Sequence, residues 1–281
     1  MQNILVPTDF SRNAYHALRY ATALLKERDC TFFLLNVYEN QKGFKNKTRG
    51  SADGQVSDKR KKASEAKLQV TIDRIEKENM NGNHSYELIS EASDLNSTVQ
   101  GLIKELNIDL IVLGNKGETS SIPLFLGSTT ASAIQSVKKC PILTVPNDAD
   151  LEVPHEMAFA TDFKKELSPE VLNALKSMAL LCGSAVRIVH IDEGTGLNHA
   201  QKANLDVLLD HLHPMAYSVN KIPNFISKAK IIEVFMKNSD IEVLAMVQNE
   251  HGELEKMLRE PVIETMVTKI NVPFFVVPEA S

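Results

Sequence analysis

The chain has no tryptophan, only three cysteines, and no apolar run near the ~18 residues that a membrane helix needs. Each absence removes a class of protein. Without a run of that length it is not read as a helical membrane protein. Cys30, Cys140 and Cys182 are odd in number and far apart, and they lack metal-ligand spacing, so they read as buried thiols of a reducing compartment. A basic surplus is missing too: 31 Lys and Arg stand against 36 Asp and Glu, for a net charge of −5. That balance argues against a general nucleic-acid binder, which would show a basic face. Met1-Gln2-Asn3 leads directly into a strand-like run rather than a signal peptide, so the expected location is cytoplasmic. Neither Gly-x-Gly-x-x-Gly nor a Gly-Lys-Ser/Thr phosphate loop occurs after a strand, which excludes the Rossmann and Walker-type nucleotide sites.

What the chain does have is one pattern written twice. Val6-Pro7-Thr8-Asp9-Phe10 near the start returns as Phe159-Ala160-Thr161-Asp162-Phe163 past the middle. Each copy closes on an apolar strand between prolines, Pro141 to Pro146 in the first and Pro273 to Pro278 in the second. At 281 residues the repeat implies two domains, 1–147 and 154–281, each long enough to bury its own core. Asn147 to Pro154, polar and acidic, reads as the linker between them.

Apolar periodicity predicts alternating strands and helices in both halves. In the first, strands are expected at Asn3–Val6, Thr31–Val37, Tyr86–Ile89, Leu110–Leu113 and Ile142–Val145. Helices are expected from an N-cap at Ser11, then over Ser64–Met80, Ser97–Leu106 and Ser128–Val137. Strands of the second half are expected at Met157–Ala160, Val186–Ile191, Ala216–Val219, Val243–Val247 and Phe274–Val277, with a helix opening at Ser168-Pro169-Glu170. The class is therefore α/β: two tandem open α/β domains, each a mainly parallel five-stranded sheet flanked by helices. Gln41 to Lys62 holds eight basic residues and three glycines and reads as a solvated mobile loop, or alternatively as a cationic lid or partner-docking segment near bound phosphates.

Only the first copy carries a glycine loop. Gly114 and Gly117 follow a strand at the carboxyl end of a parallel sheet, where ligands of open α/β folds sit. After nine further residues, Gly127-Ser128-Thr129 opens a helix, whose amino end attracts phosphate. Together with the Asp9 segment and the repeat, this Gly-x2-Gly-x9-Gly-Ser pattern resembles the universal stress protein family in its tandem form, over almost the whole chain. The resemblance implies ATP binding, with Mg2+ on the phosphates. It places Pro7, Thr8 and Asp9 beside the ribose or adenine and the Val37 backbone against adenine. Gly114, Gly117, Gly127, Ser128 and Thr129 then form the phosphate loop.

The second copy reads as closed to ATP. Val247 and Glu250 replace Gly114 and Gly117, and Arg259-Glu260 replaces Gly127-Ser128. Glu250, Glu253, Glu255 and Glu260 would repel phosphate. Asp162 is expected to order a turn. His190, His199, His211 and His213 lack ligand partners at metal spacing and read as ordinary histidines. The family resemblance also implies that the last strands pair, here within the chain as an intramolecular pseudo-dimer that buries an aggregation-prone edge and is compatible with a further homodimer. The resulting expectation is an ATP-binding stress-response protein acting by nucleotide-dependent regulation or partner binding. A nucleotide-independent interaction module and a slow ATPase are the alternatives.

Overall fold

The computed structural model describes residues 2–38, 52–79, 82–115, 128–248 and 272–279. Its first half runs β1 (Gln2–Pro7), α1 (Arg12–Leu24), β2 (Cys30–Val37), α2 (Ala52–Glu78), β3 (His84–Glu91), α3 (Leu95–Glu105), β4 (Leu110–Gly114), α4 (Ser128–Ser136) and β5 (Ile142–Val145). The second runs β6 (Glu156–Ala160), α5 (Pro169–Cys182), β7 (Ala185–Asp192), α6 (His199–Leu212), β8 (Tyr217–Pro223), α7 (Lys228–Asn238), β9 (Val243–Gln248) and β10 (Phe274–Pro278).

The strands join one ten-stranded sheet in the order β3-β2-β1-β4-β5-β10-β9-β6-β7-β8. Every pairing is parallel except the central one. There β5 and β10 run antiparallel, with Phe274 opposite Thr144, Phe275 opposite Leu143 and Val276 opposite Ile142. Strand alternation sends Ile4, Val6, Phe32 and Leu34 to the face covered by α1 and α2. Leu5, Phe33 and Leu35 go to the other face, under α3 and α4. Both faces are covered, which is why β2 is buried along nearly its whole length. The two halves thus share one sheet and two continuous cores.

The caps follow the sequence. Ser11 accepts from the Ala14 N–H at 3.1 Å, and Ser168 accepts from the Val171 N–H at 3.3 Å with Pro169 in the first turn. Asn198 and Gln201 add a reciprocal capping box to α6. Burial pushes the Cys30 thiol up to about 11 and those of Cys140 and Cys182 up to about 12, so all three are inert at neutral pH.

One boundary differs widely from expectation. Helix α2 begins at Ala52, so residues 52–62 of the supposed basic loop are helical, whereas Gln41 to Ser51 lie outside the described residues. Among the described side chains of α2 only Ser64, Leu68, Ile72 and Ile75 are buried, and the apolar period there starts at Ser64. Upstream, Lys59 and Lys61 to Ala63 are exposed, and helix-favouring residues carry the helix outward with no packing signal to announce it. Strand β8 is likewise longer than its pattern, because its edge position leaves it half-exposed.

His16 on α1 hydrogen-bonds through Nε2 to the Ala149 carbonyl at 2.9 Å, tying the helix to the segment that leads into the second half. Burial outweighs that bond and lowers the His16 pKa below its ordinary 6.5. The native state therefore takes up this proton less readily than the unfolded chain. The stability owed to neutral His16 is complete above pH 6.5 and declines as the pH falls through 6.5 towards the lowered native value. Urea denaturation of the wild type and His16→Gln between pH 5 and 8 should show a stability gap that narrows on acidification; a gap widening towards pH 5 would contradict this assignment.

Candidate functional site

Where β1 ends, Thr8-Asp9-Phe10 makes a turn held by its own side chains. The Phe10 N–H donates to Thr8 Oγ1 at 3.0 Å, and the Ser11 N–H donates to Asp9 Oδ1 at 3.0 Å. Phe10 sits at φ 65°, a left-handed conformation costing about 1–2 kcal/mol for a residue with a Cβ. Hydroxyl and amide relays fix the turn from behind. Ser90 donates to Ser64 Oγ at 2.8 Å, Ser64 to Asn36 Oδ1 at 2.8 Å, and Asn36 Nδ2 to the Thr8 carbonyl at 2.8 Å. This chain links β3, α2, β2 and the end of β1.

On the other side β4 ends at Gly114, and helix α1 lies directly against it. A Cβ at Gly114 would sit 2.6 Å from Asn13 Oδ1 and 3.1 Å from the Asn13 backbone carbon. Asn13 has little freedom to withdraw, being 7% exposed with its Nδ2 donating to the Val145 carbonyl at 3.2 Å. Thr130 Oγ1 donates to the Gly114 carbonyl at 2.9 Å and so holds α4 to the strand end. Glycine is required here for close approach of helix and strand.

Between these two strand ends lies a cavity of about 190 Å³. Strand β1 has β2 on one flank and β4 on the other, so the cavity occupies the switch point of the first half's parallel strands. Leu35, Val37, Leu95 and Leu113 supply apolar wall, and Thr8, Asp9, Asn36 and Thr130 supply polar atoms. The mouth opens beside the start of α4, where unpaired backbone N–H groups favour an anion.

The second half repeats the turn without the cavity. The Phe163 N–H donates to Thr161 Oγ1 at 3.2 Å, the Lys164 N–H to Asp162 Oδ1 at 2.9 Å, and Phe163 has φ 56°. His190 stands where Asn36 does and hydrogen-bonds the Thr161 carbonyl at 3.2 Å. The corresponding space has shrunk to about 20 Å³. Ile191 and Ile232 take the places of Val37 and Val99, and Lys228 takes the place of Leu95, its Nζ drawn to Glu193 at 2.8 Å. Four inserted residues, Lys164 to Leu167, start α5 one turn later than α1, and Val247 occupies Gly114's place, packed against the core.

Of the residues expected at the site, the fold brings Pro7, Thr8, Asp9, Val37 and Gly114 to one cavity. Ser128 and Thr129 form the first turn of α4. Gly117 and Gly127 lie outside the described residues, as do Glu250 to Glu260 of the second loop. Sequence reasoning missed Ala14, Leu35, Leu95, Leu113 and Thr130. Leu95 carried a signal, since it directly follows the N-cap Asp94, whose Oδ1 accepts the Ser97 N–H. Among the described residues no cluster of three or more His, Cys, Asp or Glu could hold a metal ion, and no helix is long and apolar enough to cross a membrane.

A model of the universal stress protein family matches residues 1–146, slightly more than half of the chain. The chain belongs to the universal stress protein family. Among solved structures it is similar to a universal stress protein from Archaeoglobus fulgidus DSM 4304, at 17% identity and a TM-score of 0.67, covering 98% of each chain. It is also similar to a putative universal stress protein from Pseudomonas aeruginosa UCBPP-PA14, at 9% identity and TM-score 0.57, over 100% of this chain and 94% of that one. Both likenesses concern the fold, and both extend the tandem arrangement over the full length. A shorter family protein from Arabidopsis thaliana, solved with AMP bound, covers 53% of this chain and 94% of its own, at 16% identity and TM-score 0.36. A comparison with curated proteins gave no match.

Gly114→Ala should destabilise the protein by about 1–3 kcal/mol, the usual cost of overpacking. Val247→Ala, its counterpart, should show only the smaller loss of trimmed core contacts. Urea midpoints of the two variants check this, and a neutral Gly114→Ala would show that α1 does not bear on the strand end.

Proposed function

We propose that the chain is an ATP-binding stress-response protein in which residues 1–147 take up the nucleotide and residues 154–281 do not. The observation that carries this reading is the contrast between the two switch-point cavities, about 190 Å³ in the first half and about 20 Å³ in the second. The residues present fit an adenine nucleotide. Leu35, Val37 and Leu113 offer apolar surface for a flat base, and the exposed Asp9 carboxylate, which lines the same cavity, would accept from ribose hydroxyls. The glycine-rich segment from Gly114 to Ser128 would supply backbone N–H groups to the phosphates, which carry Mg2+ with them. When bound, the nucleotide supplies charge at the mouth of the cleft, and the protein's part is to bind and orient it. Its role follows from nucleotide-dependent partner binding rather than turnover.

Titration with a fluorescent ATP analogue should give one equivalent per chain, with affinity lowered at least tenfold, about 1.4 kcal/mol, by Gly127→Glu. The same change should leave the unfolding midpoint of the nucleotide-free protein nearly unaltered. Two equivalents per chain, or Gly127→Glu binding as tightly as the parent, would overturn the assignment. Absence of any binding would favour a nucleotide-independent interaction module.

A further inference from the structure

The strand order reads the same outward from the β5–β10 pair on both sides, so each position near that seam has a counterpart. Ile4 pairs with Leu110 as Met157 pairs with Val243, which makes Asp109 the counterpart of Glu242. Counting from the caps Ser11 and Ser168, Tyr20 on α1 corresponds to Ser177 on α5. That exchange is one of the differences that leave the two sides of the seam unlike, alongside Ala21 against Met178 and Arg28 against Ala185.

On one side the Tyr20 ring is 3% exposed and packed into the shared core. Burial pushes its hydroxyl pKa well up, and the nearby Cys182 and Glu242 of the second half push it further. The phenol of Tyr20 thus fills the gap between its own helix and the base of the other half's strands. On the opposite side Ser177 leaves that gap open. A cavity of about 340 Å³ stands there, floored by Ile4, Leu110, Met178 and Phe275, with Arg28 and Asp109 at its rim. Its walls come from both halves of the chain. An apolar floor with a few polar groups at one edge is the usual make-up of a small-molecule site.

We propose that this seam cavity binds a small phenol, whose ring occupies the space that Tyr20 fills on the opposite side and whose hydroxyl turns towards Asp109. The molecule itself supplies the template for the ligand: a tyrosine side chain already solves the equivalent packing problem on the other side of the seam. Asp109 can accept from the hydroxyl, and the Arg28 guanidinium can donate to its oxygen. The site lies at the opposite end of β4 from Gly114 and is independent of nucleotide binding.

The probe is 4-methylphenol, the tyrosine side chain without its backbone, added to the full chain labelled with 13C at the methionine methyls. The Met178 signal should shift saturably, with a Kd of about 1 mM or tighter given the ligand's size. Met157, which floors the side already filled by Tyr20, should not move. Ser177→Tyr should weaken binding at least tenfold and raise the Tm. An unmoved Met178, equal shifts at Met178 and Met157, or undiminished binding by Ser177→Tyr would each overturn the proposal. Should Ser177→Tyr fail to fold, the wild-type contrast between Met178 and Met157 decides the matter alone.

Discussion

The antiparallel pairing of β5 with β10 is the constraint on which the rest of this structure depends. A five-stranded parallel sheet ending at β5 would present an apolar edge of unpaired N–H and C=O groups, a template for aggregation. Here each half closes the other's edge. Ile142, Leu143, Phe274 and Val276 are at most 1% exposed, and burying side chains of this size contributes about 1.5–3 kcal/mol each. The pairing also aligns the two sets of helices, so α1 and α5 come to share one core on the same face of the sheet. A lone half would lose more than a neighbour; it would expose the apolar edge strand of its own sheet.

Comparison of the halves separates what the fold needs from what a ligand needs. The Thr-Asp-Phe turn, with a phenylalanine in the left-handed region, persists in both, as does its amide or imidazole brace, Asn36 or His190. Because the second half keeps this turn over an almost closed cavity, Asp9 is not by itself a sign of binding. It orders the chain between strand and helix wherever the pattern occurs. The discriminating positions lie elsewhere, at Val37, Leu95 and Gly114 against Ile191, Lys228 and Val247. Gly114 in turn has a structural duty towards Asn13 that would hold with no ligand present.

The strands were legible because both faces of the sheet are covered, and so each central strand is a short apolar run with little competition from helix periodicity. Their ends, and the caps at Ser11 and Ser168, followed from turn and capping chemistry. The duplication was legible in the repeated Thr-Asp-Phe segment, and the pairing of the terminal strands followed from the family resemblance. The start of α2 was not legible, because the exposed residues Lys59 and Lys61 to Ala63 ahead of Ser64 leave no burial pattern. Cavity walls were only half legible. Pro7, Thr8, Asp9, Val37 and Gly114 stand at strand ends, where topology directs attention, whereas Leu95 and Thr130 arrive from helices whose approach depends on packing. The seam cavity was invisible, since the helix positions Tyr20 and Ser177 can be equated by counting from the caps, but the strand ends of the other half that they face follow only from the sheet order.

Filling a cavity stabilises a protein, so cavities that persist beside filled counterparts mark where stability has yielded to something else. This chain offers that comparison twice and in opposite directions. At the switch points, the second half adds a methylene at Ile191 and another at Ile232, each worth about 0.8 kcal/mol when buried, and seals the mouth with the Lys228–Glu193 pair. The first half forgoes these gains. At the seam the roles reverse: α1 inserts the Tyr20 ring and α5 leaves the equivalent space empty beside Ser177. A loosely packed or degenerating half would be open at both places. Here each half is open where the other is filled, a division of labour made by side-chain size within one common backbone.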